Sequence, residues 1–285
     1  MLHRGGRITV FENPVNLASL TSRLKYEASW KDDYPNRQFY ADECELLLKF
    51  LQENDKLERF WPRLLSKKQQ RDEALNEIRV AYFLHSRGHA VVELESEDAP
   101  GYTVDFLISL GANKTAFVEV KSPGWEGHDL TNAERMAGRA KRPKYSESID
   151  GRPSRPIDII RTTVQKWRVK FSGNAPSILF ISDDCFINLG AFGYGPLQMA
   201  LLQKSLAYGD GLFQNPEYSN IGAVFLFWWI LDPEKHRIEY NSIGMGNPNA
   251  LPKAAVPSEM FARLTTRVEP AGILGSRSGE VPAAL

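Results

Sequence analysis

The chain has 285 residues, enough for one large domain or two small ones, and its 42% hydrophobic and 25% charged content is ordinary for a globular protein in water. A formal net charge of zero excludes a generally basic protein that coats a polyanion, so any polyanion binding must come from a local patch. Two cysteines are too few for a disulfide framework or a cysteine-rich zinc site, and no apolar stretch forms a signal core or spans a bilayer; we expect a cytoplasmic protein without membrane attachment.

The N-terminal third of the chain is predicted to be mainly helical. A short strand is possible at 5–12, and apolar residues then recur at helical spacing over 41–59. A second helix is predicted over 67–87, where Gly88 follows as a suitable C-terminal cap. We interpret residues 1–65 as an N-terminal helical extension.

Three strands are predicted next. Residues 89–95 form the first, and 96–101 a turn. The segments 103–110 and 115–121 are rich in β-branched and aromatic residues, and a short polar connection containing Gly and Asn separates them. This pattern predicts a β-hairpin.

Charged residues interrupt both strands of this hairpin. Side chains two apart on a strand share a face, so Glu119 and Lys121 point the same way, and Asp105 joins them if it pairs near Glu119. Burying such charges is costly unless they are paired or bind a metal. Two carboxylates that converge beside an amine suit a hard divalent cation, Mg²⁺ in particular. The alternative is a solvated face or a surface ion pair.

Glu77 is a further acidic candidate on the helix predicted over 67–87. It lies beside the apolar stripe of that helix and not opposite it, so it can lean towards the sheet edge. The alternative is that Glu77 solvates the helix or pairs with a Lys or Arg one turn away.

A basic stretch follows the hairpin. Residues 122–156 form a long connection, and such segments within a compact domain are usually functional or mobile. Between 131 and 170, eleven Lys and Arg stand against four Asp and Glu. We predict contacts with phosphates here, and Tyr145 and Trp167 are candidates for base stacking. The proposed phosphate contacts include Arg139, Lys141, Arg142 and Lys144. A solvated loop and helix face is the alternative.

The remaining predicted elements complete an alternating pattern. They are a helix over 157–171, a strand over 177–182, a helix over 196–208, a hairpin from 221–231 and 236–242, and a short helix over 258–265. We assign residues 66–245 to the core, with the hairpin as an addition to its sheet. We assign 246–285 to a C-terminal helix and a disordered tail that begins near 270.

The order of these residues resembles the PD-(D/E)xK nuclease superfamily, the restriction-endonuclease-like group. The resemblance covers residues 72–183: Glu77 on a helix, Asp105 on a strand, and Glu119-Val120-Lys121 on the next strand. One departure is Val104, where the family pattern has proline. The resemblance implies an α/β fold with a restriction-endonuclease-like core, a central mixed β-sheet flanked by helices.

The resemblance also implies a Mg²⁺-dependent nuclease, most simply a DNA endonuclease, for which Mn²⁺ substitutes. Asp105, Glu119 and the backbone carbonyl of Val120 are then expected to hold the cation, with Glu77 completing the coordination or positioning a second ion. Lys121 is expected to orient the attacking water. Gln165 and Lys166 occupy helix positions at which nucleases of this group often place a polar or basic residue facing the site.

Nucleic acid is the partner that these expectations imply, with a homodimer or a partner protein also possible. Two alternatives stay open. One is a catalytically silent nucleic-acid-binding or interaction module with the same fold. The other is a globular protein of another class with a chance Glu-x-Lys hairpin.

Overall fold

The computed structural model describes residues 19–28, 38–66, 68–111, 114–123, 156–182, 194–232 and 237–266. The strand predicted at 5–12 and the tail predicted from 270 lie outside the described residues.

Helices and strands alternate along the second half of the chain, as the sequence predicts. The helices are α1 Leu20–Ala28, α2 Gln38–Glu53, α3 Leu57–Leu64, α4 Lys68–Ser86, α5 Pro156–Trp167, α6 Tyr194–Leu201 and α7 Ser258–Leu264. The strands are β1 Val91–Ala99, β2 Tyr102–Gly111, β3 Lys114–Lys121, β4 Ser177–Ser182, β5 Ala223–Asp232 and β6 Arg237–Gly246.

The strands form one six-stranded mixed sheet in the order β1-β2-β3-β4-β5-β6. β1, β2 and β3 are a meander of antiparallel neighbours. β4 is parallel to β3 and to β5, and β6 returns antiparallel to β5. This architecture confirms the predicted α/β class with a mixed sheet flanked by helices, and the hairpin of β5 and β6 extends that sheet.

Two buried clusters cover the two faces of the sheet. In the first, Leu47 of α2 and Ile78 of α4 pack with Val118 and Val120 of β3. In the second, Val164 of α5 packs with residues of α6, β4 and β5. The alternation predicted for β3 is confirmed, because Val118 and Val120 belong to the first cluster whereas Phe117, two residues before Glu119, packs against the second. The side of the sheet that carries α5 is therefore the side towards which Glu119 and Lys121 point.

The prediction of a single helix over 41–59 is wrong in one respect, because a short non-helical segment separates α2 from α3. Asp55 takes a left-handed conformation with φ 56°, which short polar side chains tolerate better than most. The N–H of Lys56 then donates to the carbonyl of Leu51 at 2.8 Å and ends α2. The cap predicted after α4 is confirmed, since Gly88 has φ 87° and donates to the carbonyl of His85 at 2.9 Å.

Further boundaries differ from prediction, and among them β6 runs to Gly246, past the predicted end at 242. β1 continues through the expected turn to Ala99, because pairing with β2 extends to Tyr102, and the chain reverses at Pro100 and Gly101 instead. After Trp167 the backbone tightens into one 3-10 turn, Arg168–Lys170. α6 ends at Leu201, where two successive N–H groups donate to the carbonyl of Gln198.

No helix within the described ranges combines the length and the apolar character needed to cross a membrane.

Candidate active site

Asp105 and Glu119 come together where β2 and β3 stop pairing. The regular register of the two strands ends with Phe106 opposite Val118, which sets Asp105 opposite Glu119. Beyond the Phe106–Val118 pair, backbone N–H groups of the two strands donate to side-chain carboxylates and not to backbone carbonyls. The N–H of Val120 donates to Asp105 Oδ2 at 2.7 Å, and the N–H of Asp105 donates to Glu119 Oε2 at 3.2 Å. Each carboxylate is thus held by the backbone of the other's strand.

Two lysines lie against the second oxygen of Glu119. Lys121 Nζ and Lys170 Nζ are each 2.6 Å from Glu119 Oε1, and Lys121 Nζ is also 3.7 Å from Asp105 Oδ2. The Glu119 side chain is fully buried, at 0% exposed. A buried carboxylate of this kind requires compensating positive charge, which the two ammonium groups supply.

The charges of these groups shift one another's pKa values. Burial raises the pKa of Glu119, and the negative charge of Asp105 adds to that effect against the opposing pull of Lys121 and Lys170. Burial by itself lowers the pKa of Lys121, but the attraction of Asp105 and Glu119 outweighs it and the pKa is raised. In the field of the protein's own groups, Lys121 is therefore a charged ammonium.

Glu77 on α4 pairs with Arg63 of α3. The guanidinium donates through both terminal nitrogens to the two carboxylate oxygens, each at 2.5 Å. Burial raises the pKa of Glu77 to about 7, with Arg63 opposing and Asp105 reinforcing that shift. The partner of Glu77 is thus an arginine from the neighbouring helix and not one a turn away on α4.

A cleft of about 430 Å³ opens beside these groups. Its walls are α4, the end of β3 and α5, with Glu77, Lys121, Lys166 and Trp167 among the lining residues. The indole of Trp167 is surrounded by positive charge, because Lys121, Lys166 and Lys170 place Nζ at 4.3, 4.9 and 5.0 Å from its ring centroid. The cleft therefore combines the aromatic wall of Trp167 with two lysines, Lys121 and Lys166, and two glutamates, Glu73 and Glu77.

The donor set matches a hard cation in its chemistry. Asp105 and Glu119 supply carboxylate oxygens, and the carbonyl of Val120 lies between Glu119 and Lys121, so all the candidate ligands are oxygens. Within the described ranges no group of three or more His, Cys, Asp and Glu side chains is arranged to hold a metal. The candidate centre consequently rests on two carboxylates, while Glu77 contacts Arg63.

Most of the predicted site residues fall in one region. Five of them surround the end of β3 or line the cleft: Glu77, Asp105, Glu119, Val120 and Lys121. Gln165 and Lys166 are exposed on α5, and Lys166 lines the cleft. Four predicted phosphate contacts lie outside the described residues: Arg139, Lys141, Arg142 and Lys144.

Two charged residues of the site have no individual signal in the sequence. Lys170 belongs to the basic stretch predicted to bind phosphates, but its contact with Glu119 depends on the turn after α5. Arg63 follows Pro62 near the end of α3 and is distant in sequence from Glu77. Periodicity within single elements cannot reveal either contact, because each one joins two elements.

A buried polar chain connects the site to the far edge of the sheet. Asn76 Nδ2 donates to Ser122 Oγ at 2.8 Å, and Asn76 Oδ1 accepts from Arg79 at 3.1 Å. Arg79 donates twice to Glu43 at 2.9 Å, and Glu43 also accepts from the hydroxyl of Tyr240 at 2.6 Å. The residue that follows Lys121 is thereby tied to α4, α2 and β6.

Fold and site together define an α/β protein with a paired-carboxylate, lysine-flanked centre at the end of a mixed sheet. Comparisons with protein-family models, with curated proteins and with solved structures found no match.

Proposed function

We propose that this protein is a metal-dependent nuclease that hydrolyses phosphodiester bonds, with DNA as the first substrate to test. The single observation that carries the proposal is the convergence of Asp105, Glu119 and Lys121 at the end of two neighbouring strands, next to a cleft that Lys121 and Lys166 line. Paired carboxylates with an adjacent lysine are suited to phosphoryl chemistry because they bind a divalent cation and leave a positive group beside it.

The connectivity supports a restriction-endonuclease-like core as the finer fold. α4 precedes the antiparallel meander of β1, β2 and β3, and α5 then leads to β4, which is parallel to β3. This is the order that the sequence resemblance implies, with the acidic residues at the expected elements.

Each residue is assigned a role from its contacts. Asp105, Glu119 and the Val120 carbonyl would hold Mg²⁺ or Mn²⁺, which when bound supplies Lewis-acid stabilisation of phosphate charge and a water of lowered pKa. Lys121, an ammonium beside both carboxylates, orients the attacking water or stabilises charge on the phosphate. Lys166 and Trp167 line the wall of the cleft at which the nucleic acid would enter.

A second candidate function is a nucleic-acid-binding module of the same fold without catalysis. The observation that favours it is the burial of Glu119, at 0% exposed, under two lysines. In such a module the carboxylates would serve only to fix the lysines in the cleft.

The deciding experiment is a cleavage assay. Purified protein is incubated with plasmid, linear DNA, single-stranded DNA and RNA, in Mg²⁺, Mn²⁺ or EDTA. We expect metal-dependent cleavage, reduced by on the order of a thousandfold in Asp105→Ala and in Lys121→Ala. Asp210→Ala is the control, because Asp210 is an exposed carboxylate that contacts only Lys204 among the ion pairs of the described residues.

Two outcomes would contradict the nuclease proposal. Unchanged cleavage in Asp105→Ala would assign the activity to another site or to a contaminant. An absence of cleavage together with salt-dependent nucleic-acid binding would favour the binding module.

A further inference from the structure

We propose that Lys170 is an internal counter-ion that holds the cation position of this site in the free protein, and that divalent metal and nucleic acid consequently bind cooperatively. The inference deepens the proposed function and rests on it. It concerns how the site is regulated, and it assigns a role to a residue that lies outside the Asp, Glu-x-Lys pattern.

Lys170 approaches Glu119 from a different part of the fold than Lys121 does. Lys121 is two residues from Glu119 on β3, whereas Lys170 is the last residue of the 3-10 turn after α5. Both ammonium groups nevertheless lie 2.6 Å from the same oxygen, Glu119 Oε1. That oxygen is one of the few that a cation shared between Asp105 and Glu119 can use, because Glu119 Oε2 already accepts from the N–H of Asp105.

The charges of the free site balance. Asp105 and Glu119 carry two negative charges, and Lys121 and Lys170 carry two positive ones. A divalent cation bound to the carboxylates would leave both ammonium groups without a partner, although their side chains are only 19% and 15% exposed. Desolvated, unpaired charge is costly, so metal alone is expected to bind weakly.

Nucleic acid removes that cost because its phosphates are new partners for the displaced ammonium groups. The affinity for the metal is then higher when nucleic acid is bound. By thermodynamic reciprocity, the affinity for nucleic acid is higher by the same factor when the metal is bound. The charge of the site would match a phosphate-bearing ligand only when the metal is bound.

Lys170 is the better candidate for the group that moves. Among the ion pairs of the described residues its only carboxylate is Glu119, whereas Lys121 also faces Asp105 at 3.7 Å from a strand inside the sheet. The indole of Trp167, 5.0 Å from Lys170 Nζ, lies at the cleft wall and gives the ammonium group an aromatic surface along its path.

The test is calorimetric titration of the full chain with Mn²⁺, with and without a short phosphorothioate DNA that resists hydrolysis. In Lys170→Met we expect Mn²⁺ alone to bind about tenfold more tightly than in the wild type, the scale of one lost hydrogen bond between charged groups. We also expect the DNA to tighten Mn²⁺ binding in the wild type by about tenfold and in Lys170→Met by much less.

Two further variants separate charge and position from other effects. Lys204→Met removes an exposed lysine whose one ion pair within the described ranges is with Asp210 at 3.6 Å, and it should leave both Mn²⁺ affinities unchanged. Lys170→Arg keeps the charge and should therefore keep the coupling between Mn²⁺ and DNA. If Lys170→Met acted through lost packing and not through lost charge, Lys170→Arg would lose the coupling as well. Circular dichroism checks that Lys170→Met folds. If it does not fold, Lys170→Gln replaces it with the same expectations.

Equal Mn²⁺ affinity in the wild type and Lys170→Met would overturn this inference while leaving the proposed nuclease site intact. Equal coupling to DNA in both proteins would overturn it as well. An absence of Mn²⁺ binding in every variant would overturn both the inference and the metal-dependent function.

Discussion

At the scale of single residues, the unusual feature is a fully buried Glu119 that contacts a backbone N–H and two ammonium groups. Its partner Asp105 accepts the N–H of Val120. Because each carboxylate replaces a backbone acceptor at the point where pairing ends, the acids are fixed by the sheet itself.

Glu77 provides a test of the electrostatics at this scale. Burial raises its pKa from 4.5 to about 7, so the folded protein retains this proton to a higher pH than the unfolded chain does. The stability linked to that proton is fully present below the unfolded pKa and is lost as the pH rises through about 7. Glutamine at this position cannot titrate.

We expect the free energy of unfolding of the wild type, relative to Glu77→Gln, to fall by on the order of 1–3 kcal/mol between about pH 5 and about pH 8. Urea unfolding in EDTA at several pH values measures this difference. Glu217→Gln, which alters an exposed carboxylate paired with Arg168, is the control. A pH-independent difference between wild type and Glu77→Gln would show that Arg63 keeps this carboxylate ionised throughout.

At the scale of elements, α4 connects the site with the rest of the protein. Its Asn76 is fully buried and donates to Ser122, and its Glu77 faces the cleft. One turn further, Arg79 pairs with Glu43 of α2, and both side chains are nearly inaccessible, at 7% and 2% exposed. A helix with polar groups buried on this scale is positioned by specific partners and not by apolar packing alone.

The Arg79–Glu43 pair predicts a non-additive pair of substitutions. Arg79→Met should lower the free energy of unfolding by about 3–5 kcal/mol, because it leaves the Glu43 carboxylate buried without its guanidinium. Adding Glu43→Leu should restore part of that loss, since the buried carboxylate that lost its guanidinium is then removed. Chemical denaturation of the two single variants and the double variant completes the cycle.

The matched control for this cycle is Arg263→Met, which breaks the exposed pair with Glu259 on α7 and should cost less than about 1 kcal/mol. Additive losses in the double variant would mean that Arg79 and Glu43 are stabilised by separate partners. The hydroxyl of Tyr240, which donates to Glu43, would then be the next position to vary.

At the scale of the whole molecule, three distant parts of the chain meet beside the sheet at Gly222. Its N–H donates to the carbonyl of Ser177 at 3.0 Å, and its own carbonyl accepts from Asn247 at 2.9 Å. A Cβ at this position would collide with the carbonyl oxygen of Ala254 and lie 3.0 Å from that of Ser177. Both obstacles are backbone atoms, which cannot turn aside as a side chain can.

We therefore expect Gly222→Ala to lower the free energy of unfolding by about 3 kcal/mol or more, as an overpacked site that has no room to relax. Thermal or urea unfolding measures the loss. Gly195→Ala is the comparison, since a Cβ there meets no atom within 4 Å. Similar stability for both variants would show that the contact between residue 222 and the 254 region is adjustable.

The sequence by itself determined the elements that rest on local periodicity. The apolar spacing of α4, the hairpin of β2 and β3 and the continuous apolar run of β4 are all as predicted. The same alternation predicted that Glu119 and Lys121 share a face, because the period of a strand is two whatever surrounds it. Predictions failed where boundaries depend on one residue, as at Asp55, or on pairing with a neighbour, as at the end of β1.

Only the tertiary structure decided which distant groups complete the site. Lys170 and Arg63 contact the acids through packing between elements, and the chain of Asn76, Arg79, Glu43 and Tyr240 crosses from one edge of the sheet to the site. The physical reason is that local pattern encodes burial and the direction of side chains within one element. The partner of a buried charge, in contrast, is set by how the elements pack, and the energy of such a pair exists only once water has been excluded.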